Sequence, residues 1–459
     1  MQNCFIPLHS THKEKGNWKM NKKVLTLLLA TFLIFILCLT VVACGEKEDN
    51  NNLSQNPSGE EEVSGYLIFK LKEDDTYEVV GYVDKPQNVD IPNTYKSKAV
   101  TSIGFRAFCD CDSLNSITIP DSVISIGVFA FEGCKSLQNF NYLGTIESWC
   151  RIIFADYCAN PLYFVRKLYI NGELITDLVI PDTITSIMDF AFAYCNSLQS
   201  ITIPDSVTSI GVWGFGGCNS LQSITIPDSV KSIGDMAFNS CSSLQSITIP
   251  DSVTSIGMGA FENCYSLESV KISNSITIIQ NFTFMGCGSL TSVVIPDSVT
   301  CIKEAAFSYC FLSSLTIGNS VTSIGARAFM DCDSLKNITI PDSVITIGEG
   351  AFYSCESLES IVIPNSVLNI GVEAFYGCNH ATNAIIGDFV LSIGEGAFSD
   401  CTYLESVIIP DTVVNIGLRA FDGCENLTIY CEAESEPSEW TEGWNGDNKP
   451  VVWGYRRIG

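Results

Sequence analysis

The chain has 459 residues, is 46% hydrophobic and carries a formal net charge of -26. Residues 1 to 43 hold five Lys and one Glu, so the rest of the chain carries -30, a balance that repels nucleic acid and anionic lipid headgroups. The only histidines are His9, His12 and His380, which argues against a His-rich zinc site, and no metal or other cofactor is expected.

Lys13, Lys15, Lys19, Lys22 and Lys23 precede an uncharged run from Val24 to Ala43, the basic and apolar regions of an export signal. Met20 is an alternative start. The run ends Val41-Val42-Ala43-Cys44-Gly45, which resembles a bacterial lipoprotein cleavage box. That resemblance implies a signal peptide over 1–43 and lipidation of the Cys44 thiol. The other reading is an uncleaved helix, since twenty apolar residues span a bilayer. Either way the bulk of the protein is expected outside the cytoplasm, anchored to the bacterial membrane and exposed at the cell surface. Glu46 to Ser64 is acidic and nearly without apolar residues, so 44–64 reads as a disordered tether. Tyr66–Leu71 and Tyr77–Tyr82 flank a polar Lys72–Thr76, which predicts a β-hairpin cap over 65–90.

From 91 to 426 the chain repeats itself. Ser197 to Asn219 (SLQSITIPDSVTSIGVWGFGGCN) is followed by its near copy, Ser220 to Ser242. The Ile of an Ile-Gly step, or its equivalent, recurs thirteen times from Ile103 to Ile416, at intervals of 22 or 23 residues with one exception. Such a period is the signature of a solenoid, here of mostly short parallel strands with turns and short helical segments, capped at both ends. In Leu198-x-x-Ile201-x-Ile203 the two Ile alternate as in a strand with one buried face. Pro204 ends the ladder and Asp205-Ser206 turn the chain. Gly211 is expected to adopt a backbone angle that other residues avoid. The Ala-Phe pair, as at Ala237-Phe238, drops a ring into the core. Thirteen coils would make a rod or arc on the order of 60 Å long. An insertion within 139–177 is rich in aromatic residues and is expected to pack as a subdomain on the flank. Trp440, Trp444 and Trp453 suggest a cap over 427–459.

The unit LxxIxIPxSVxxIGxxAFxxC resembles the BspA-like family of leucine-rich repeats, a bacterial and protist surface-protein class. The insertion (YLGTIESWCRIIFADY, LYINGELITDLVIPD) and the ending (CEAESEPSEW, PVVWGY) are similar to segments that accompany it. Several members are adhesins for host matrix or plasma proteins or for other microbes, so the resemblance implies such a role here.

Thirteen cysteines fall at one repeat position, from Cys111 to Cys424. Stacked equivalents point the same way, which disfavours bridges, so they read as buried thiols filling the core. Cys150 with Cys158 is the one candidate disulfide. Cys378 lies two residues from His380 without an orienting partner, too little for a nucleophile, and an enzyme is not expected. The recurrent Asp after Pro, as at Asp205 and Asp228, is explained by turn chemistry rather than by metal. Outward strand positions are Ser and Thr, as at Ser200 and Thr202, a flat polar face that offers little for a selective pocket. Variation concentrates before the Ala-Phe pair, where Phe129, Phe190, Trp213, Met236 and Phe282 form a candidate binding ridge if exposed and packing if tucked in. The expected function is binding of extracellular or host proteins or other cells by a surface lipoprotein. The alternative is a structural envelope stalk or spacer.

Overall fold

Strands that bury one face must find neighbours, and here each finds them one coil along. This is visible in the computed structural model of the chain, which describes residues 61–456. Ser200–Thr202 pairs in parallel with Ser223–Thr225, so that Ser faces Ser, Ile faces Ile and Thr faces Thr. A second ladder joins Ser209–Ile210 to Ser232–Ile233. A third runs through the loops, where the N–H groups of Trp213, Phe215 and Gly217 donate to the carbonyls of Asp235, Ala237 and Asn239 at 3.0, 2.9 and 2.7 Å. The result is a parallel β-solenoid of about sixteen turns. Its count exceeds the thirteen Ile-Gly steps because turns at both ends and in the insertion lack that step. Among the described residues the helices are two four-residue segments, Ile146–Trp149 and Leu162–Val165, both in the insertion. Among the described residues no helix is long and apolar enough to cross a membrane.

The core is a set of parallel side-chain columns. Leu198, Val207, Ile210, Phe215 and Cys218 are buried, and their equivalents stack above and below them. Each such Leu, Val, Ile or Phe contributes about 1.5–3 kcal/mol on burial. From Phe192 to Phe421 the rings form one stacked column with centroids 5.2–5.6 Å apart. Trp444 closes it edge-on at 6.1 Å from Phe421, and the Trp440 indole N–H donates to the Val413 carbonyl at 3.1 Å. At the other end Tyr77–Tyr82 pairs with Leu67–Leu71 as an antiparallel hairpin and joins the first coil in parallel at Lys98–Ile103.

Three expectations change. Glu61–Ser64, assigned to the tether, forms a strand against Leu67–Leu71, with Val63 opposite Ile68 and Gly65 making the turn at φ 62°. The repeat glycine at 211 and 234 is required by contact rather than by backbone angle. A Cβ on Gly234 would lie 2.7 Å from both Gly211 C and Val212 N in the coil before it. The insertion is a coil of the stack rather than a flanking subdomain. Ile153–Phe154 pairs with Ser125–Ile126, Ile170 pairs with Tyr142, and the Phe131 N–H donates to the Cys158 carbonyl at 3.1 Å. Its Trp149 fills the interior and donates to the Ala191 carbonyl at 3.0 Å.

Candidate binding surfaces

The position before Ala-Phe is left-handed in every coil where it carries a ridge residue, with φ of 58° at Phe129, 60° at Phe190, 54° at Trp213, 54° at Met236 and 61° at Phe282. The turn into the Phe column imposes this angle, and the ladder hydrogen bonds of the loop hold it. All five side chains are half-buried. Phe190 packs on the core and its carbonyl accepts the Asn160 amide at 2.8 Å. The Phe129 N–H donates to the Asp156 carboxylate at 3.1 Å. Gly259 interrupts the column between Met236 and Phe282.

Trp213 is the ridge residue that joins a larger group. Its indole lies over Gly216, where a Cβ would meet Trp213 Cε3 at 2.2 Å, and it stacks on Tyr194 at 5.4 Å. A Cβ on Gly217 would meet the Tyr194 ring at 2.6 Å, so the glycine pair of this coil makes room for both rings. Tyr194 meets Tyr163 edge-on at 5.0 Å, and Tyr163 contacts Tyr157 at 5.2 Å and Phe164 at 4.9 Å. The Arg166 guanidinium sits 4.4 Å from the Tyr194 centroid and 5.3 Å from that of Tyr163, within cation–π range. Five aromatic rings and one guanidinium thus form a continuous half-exposed cluster where ridge and insertion meet. The sequence signal was Gly216-Gly217 directly after Phe215, which no other coil carries.

The cysteine ladder is a hydrogen-bonded one. The thirteen cysteines are free and buried, and from Cys134 onward nearly every thiol donates to the carbonyl of the Phe one coil back, as Cys218 to Phe192 at 3.2 Å and Cys241 to Phe215 at 3.3 Å. That second role, beyond filling space, was not read from the sequence. Cys150 and Cys158, the candidate bridge, are both free, buried thiols in separate surroundings. Cys150 neighbours Arg151 and Glu147, and Cys158 neighbours Asp156 and Glu132. Burial pushes each thiol up to about 12, which keeps both protonated and unreactive. Cys378 donates inward to the Phe352 carbonyl at 3.4 Å while the exposed His380 ring contacts the Glu356 carbonyl at 2.7 Å, so the two do not pair. Asp251 and Asp297 accept the N–H of Asn274 and Asn319 in the next coil at 2.9 and 2.7 Å, a structural role for the carboxylate in these two coils. Among the described residues no group of three or more His, Cys, Asp and Glu is placed to hold a metal ion. Cys44 lies outside the described residues.

The face of the first strands, read as flat, carries three hollows of about 800, 480 and 410 Å³. They are centred on Val294, on Val362 with Phe389, and on Asn141 with Tyr169.

Comparison with known proteins matches a family described as BspA type leucine rich repeat region at residues 85–161, 164–287, 214–336, 277–388 and 322–434. The chain belongs to this family. The BspA-type coils are similar to those of a leucine-rich repeat protein from Bacteroides ovatus, with 27% identity over 85% of this chain and 99% of that one at a TM-score of 0.41. They are also similar to a leucine rich cell surface protein from Faecalibacterium prausnitzii, with 23% identity over 88% of this chain and 100% of that one at a TM-score of 0.46. The pneumococcal vaccine antigen PcpA shares the fold at 18% identity and a TM-score of 0.50, covering 88% of this chain and 100% of its own. No curated protein matches the chain.

Proposed function

We propose that this BspA-type chain is a surface lipoprotein, held by Cys44 at the outside of the bacterial membrane, that binds extracellular or host proteins or other cells and performs no catalysis. The observation that carries the reading is the cluster of Tyr157, Tyr163, Phe164, Tyr194 and Trp213 under Arg166. Aromatic residues and Arg are the types most enriched at binding hot spots, and Tyr157 keeps 43% of its surface exposed. The stack holds the cluster on a rigid frame, which lowers the ordering cost of binding. Many copies at a cell face would add avidity.

The test is capture on immobilised residues 45–459 of matrix proteins, plasma proteins and whole microbial cells. Saturable binding of one partner, lost in Trp213→Ser at an unchanged melting temperature, is the expected result. Binding that survives Trp213→Ser and Arg166→Ser would move the site elsewhere. No binding by folded protein would favour the spacer.

A further inference from the structure

The outward column of the first strands changes character along the solenoid. It reads Thr202, Thr225 and Thr248 in the regular coils, and Val362, Ile385, Ile408, Tyr430 and Val452 at the far end. These five are paired in register, each beside the next, and at parallel-strand spacing they span about 19 Å. Val362 is 48% exposed, Ile385 41% and Val452 42%, while Ile408 and Tyr430 between them are half-buried and the Tyr430 ring packs on Tyr455 at 5.0 Å. Their inward neighbours Ile361, Ile363, Ala384 and Ile386 are buried and complete the core, so folding does not require the outward apolar groups. An outward apolar strip, most exposed at Val362 and Ile385 beside Phe389, has the character of an interaction surface.

Two further observations define what it fits. The hollow of about 480 Å³ is lined by Val362, Ile385 and Phe389, and Phe389 is 61% exposed. It stands where other coils place a Ser or Thr, which in some of them donates to the preceding coil, as Ser229 to Val207 at 2.6 Å and Ser343 to Val321 at 2.7 Å, and which at Ser366 in the adjacent coil has no partner. A small polar side chain has been replaced here by an exposed ring. The borders are acidic. Asp342 lines the hollow, Asp388 and Asp411 follow ladder strands, and Glu359 and Glu405 precede them. From Asp342 to Glu432 the only Lys or Arg is Arg419, against thirteen carboxylates.

We propose that this face docks a cationic, amphipathic peptide segment of a partner protein. Its aliphatic side chains lie along the ladder and in the hollow beside Phe389, and its Lys or Arg side chains reach the flanking carboxylates. A second copy of the chain would set acidic borders against each other, and anionic lipid or nucleic acid would be repelled. The surface is separate from the Trp213 cluster and does not depend on what that cluster binds.

The experiment uses the full-length chain in nanodiscs of neutral lipid, with empty discs as the blank. The probes are short synthetic peptides of alternating Leu and Lys, Ser and Lys, and Leu and Glu. The Leu–Lys peptide should bind saturably, the Ser–Lys peptide roughly tenfold more weakly, and the Leu–Glu peptide not at all. The triple variant Val362→Thr, Ile385→Thr, Phe389→Ser should weaken Leu–Lys binding roughly tenfold without lowering the melting temperature. If the triple variant unfolds, Phe389→Ser alone, which restores the usual repeat residue, should still weaken binding. Equal binding of the Leu–Lys and Ser–Lys peptides, undiminished Leu–Lys binding by the folded variants, or no binding at all would each overturn the proposal.

Discussion

Between Leu198 and Thr248 the outward column of the first strand is Ser and Thr, whereas between Ser360 and Cys431 it is Val, Ile and Tyr beside a Ser and Asn column. Inside, the two regions are alike. Phe215 stacks on Phe238 at 5.6 Å and Phe352 on Phe375 at 5.2 Å, and Cys241 and Cys378 donate to Phe carbonyls at 3.3 and 3.4 Å. Stacking fixes the interior, because every inward residue must match its copies above and below. Nothing in the stack fixes the outward side chain. Where that side chain departs from Ser and Thr toward large apolar groups, the change is assigned, as proposed above, to a partner that the face meets.

The interiors should respond equally to injury. Phe238→Ala and Phe352→Ala should each cost about 3–5 kcal/mol by cavity formation. Urea unfolding should place the two costs within about 1 kcal/mol of each other, and a wider gap would break the comparison. Gly234→Ala should cost about 1–3 kcal/mol, since its methyl would meet backbone of the preceding coil with no side chain able to move aside. The corresponding Gly394→Ala, 2.5 Å from Gly371 C and Val372 N, should match it. Cys241→Ala should lose about 1 kcal/mol, as it removes a thiol–carbonyl bond and a small buried volume. Among the described cysteines a thiol reagent should reach only the half-exposed Cys109 and Cys301 in the native protein.

The smallest effect sets the coil that lies between the two regions apart from the first by charge. Asp333 follows the ladder cysteine where the first region has Asn219 and Ser242, and burial, then Glu356 and Asp331, raises its carboxyl to about 6. A raised carboxyl binds protons more readily folded than unfolded, so its contribution falls as pH rises from 3.8 through 6. Asp333→Asn should therefore stabilise at pH 8 and do little at pH 4, by less than about 1 kcal/mol because the group is partly exposed.

The repeat made the solenoid legible before any coordinates. Period-two Ile, the Pro stop and the Ala-Phe pair each occupied the place their chemistry implied, because copies at a fixed spacing can satisfy one another only by stacking. The inserted coil was not legible. Phe154 and Ala159 stand in for the usual Ile and Phe, and register rather than residue type brings them into line. The glycine of the Ile-Gly step was read as a backbone-angle requirement when its constraint is a neighbour one coil away, a distance no single unit reveals. The left-handed angle falls instead on Trp213 and its equivalents, residue types that give no hint of it. The ridge was visible as a column of varying residues, but its junction with Tyr163 and Arg166 depends on how the insertion folds back. The apolar ladder needed only the column from Thr202 to Val452 read to its end.

On the proposal above, the outward apolar side chains of the ladder serve recognition and add nothing to the stack. Urea unfolding of Val362→Thr, Ile385→Thr beside wild type tests it most directly. The account predicts midpoints that coincide within the equivalent of about 0.5 kcal/mol, the range of ordinary surface changes. A loss of 2 kcal/mol or more, on the order of a buried aliphatic side chain, would place the ladder in the core and contradict the claim.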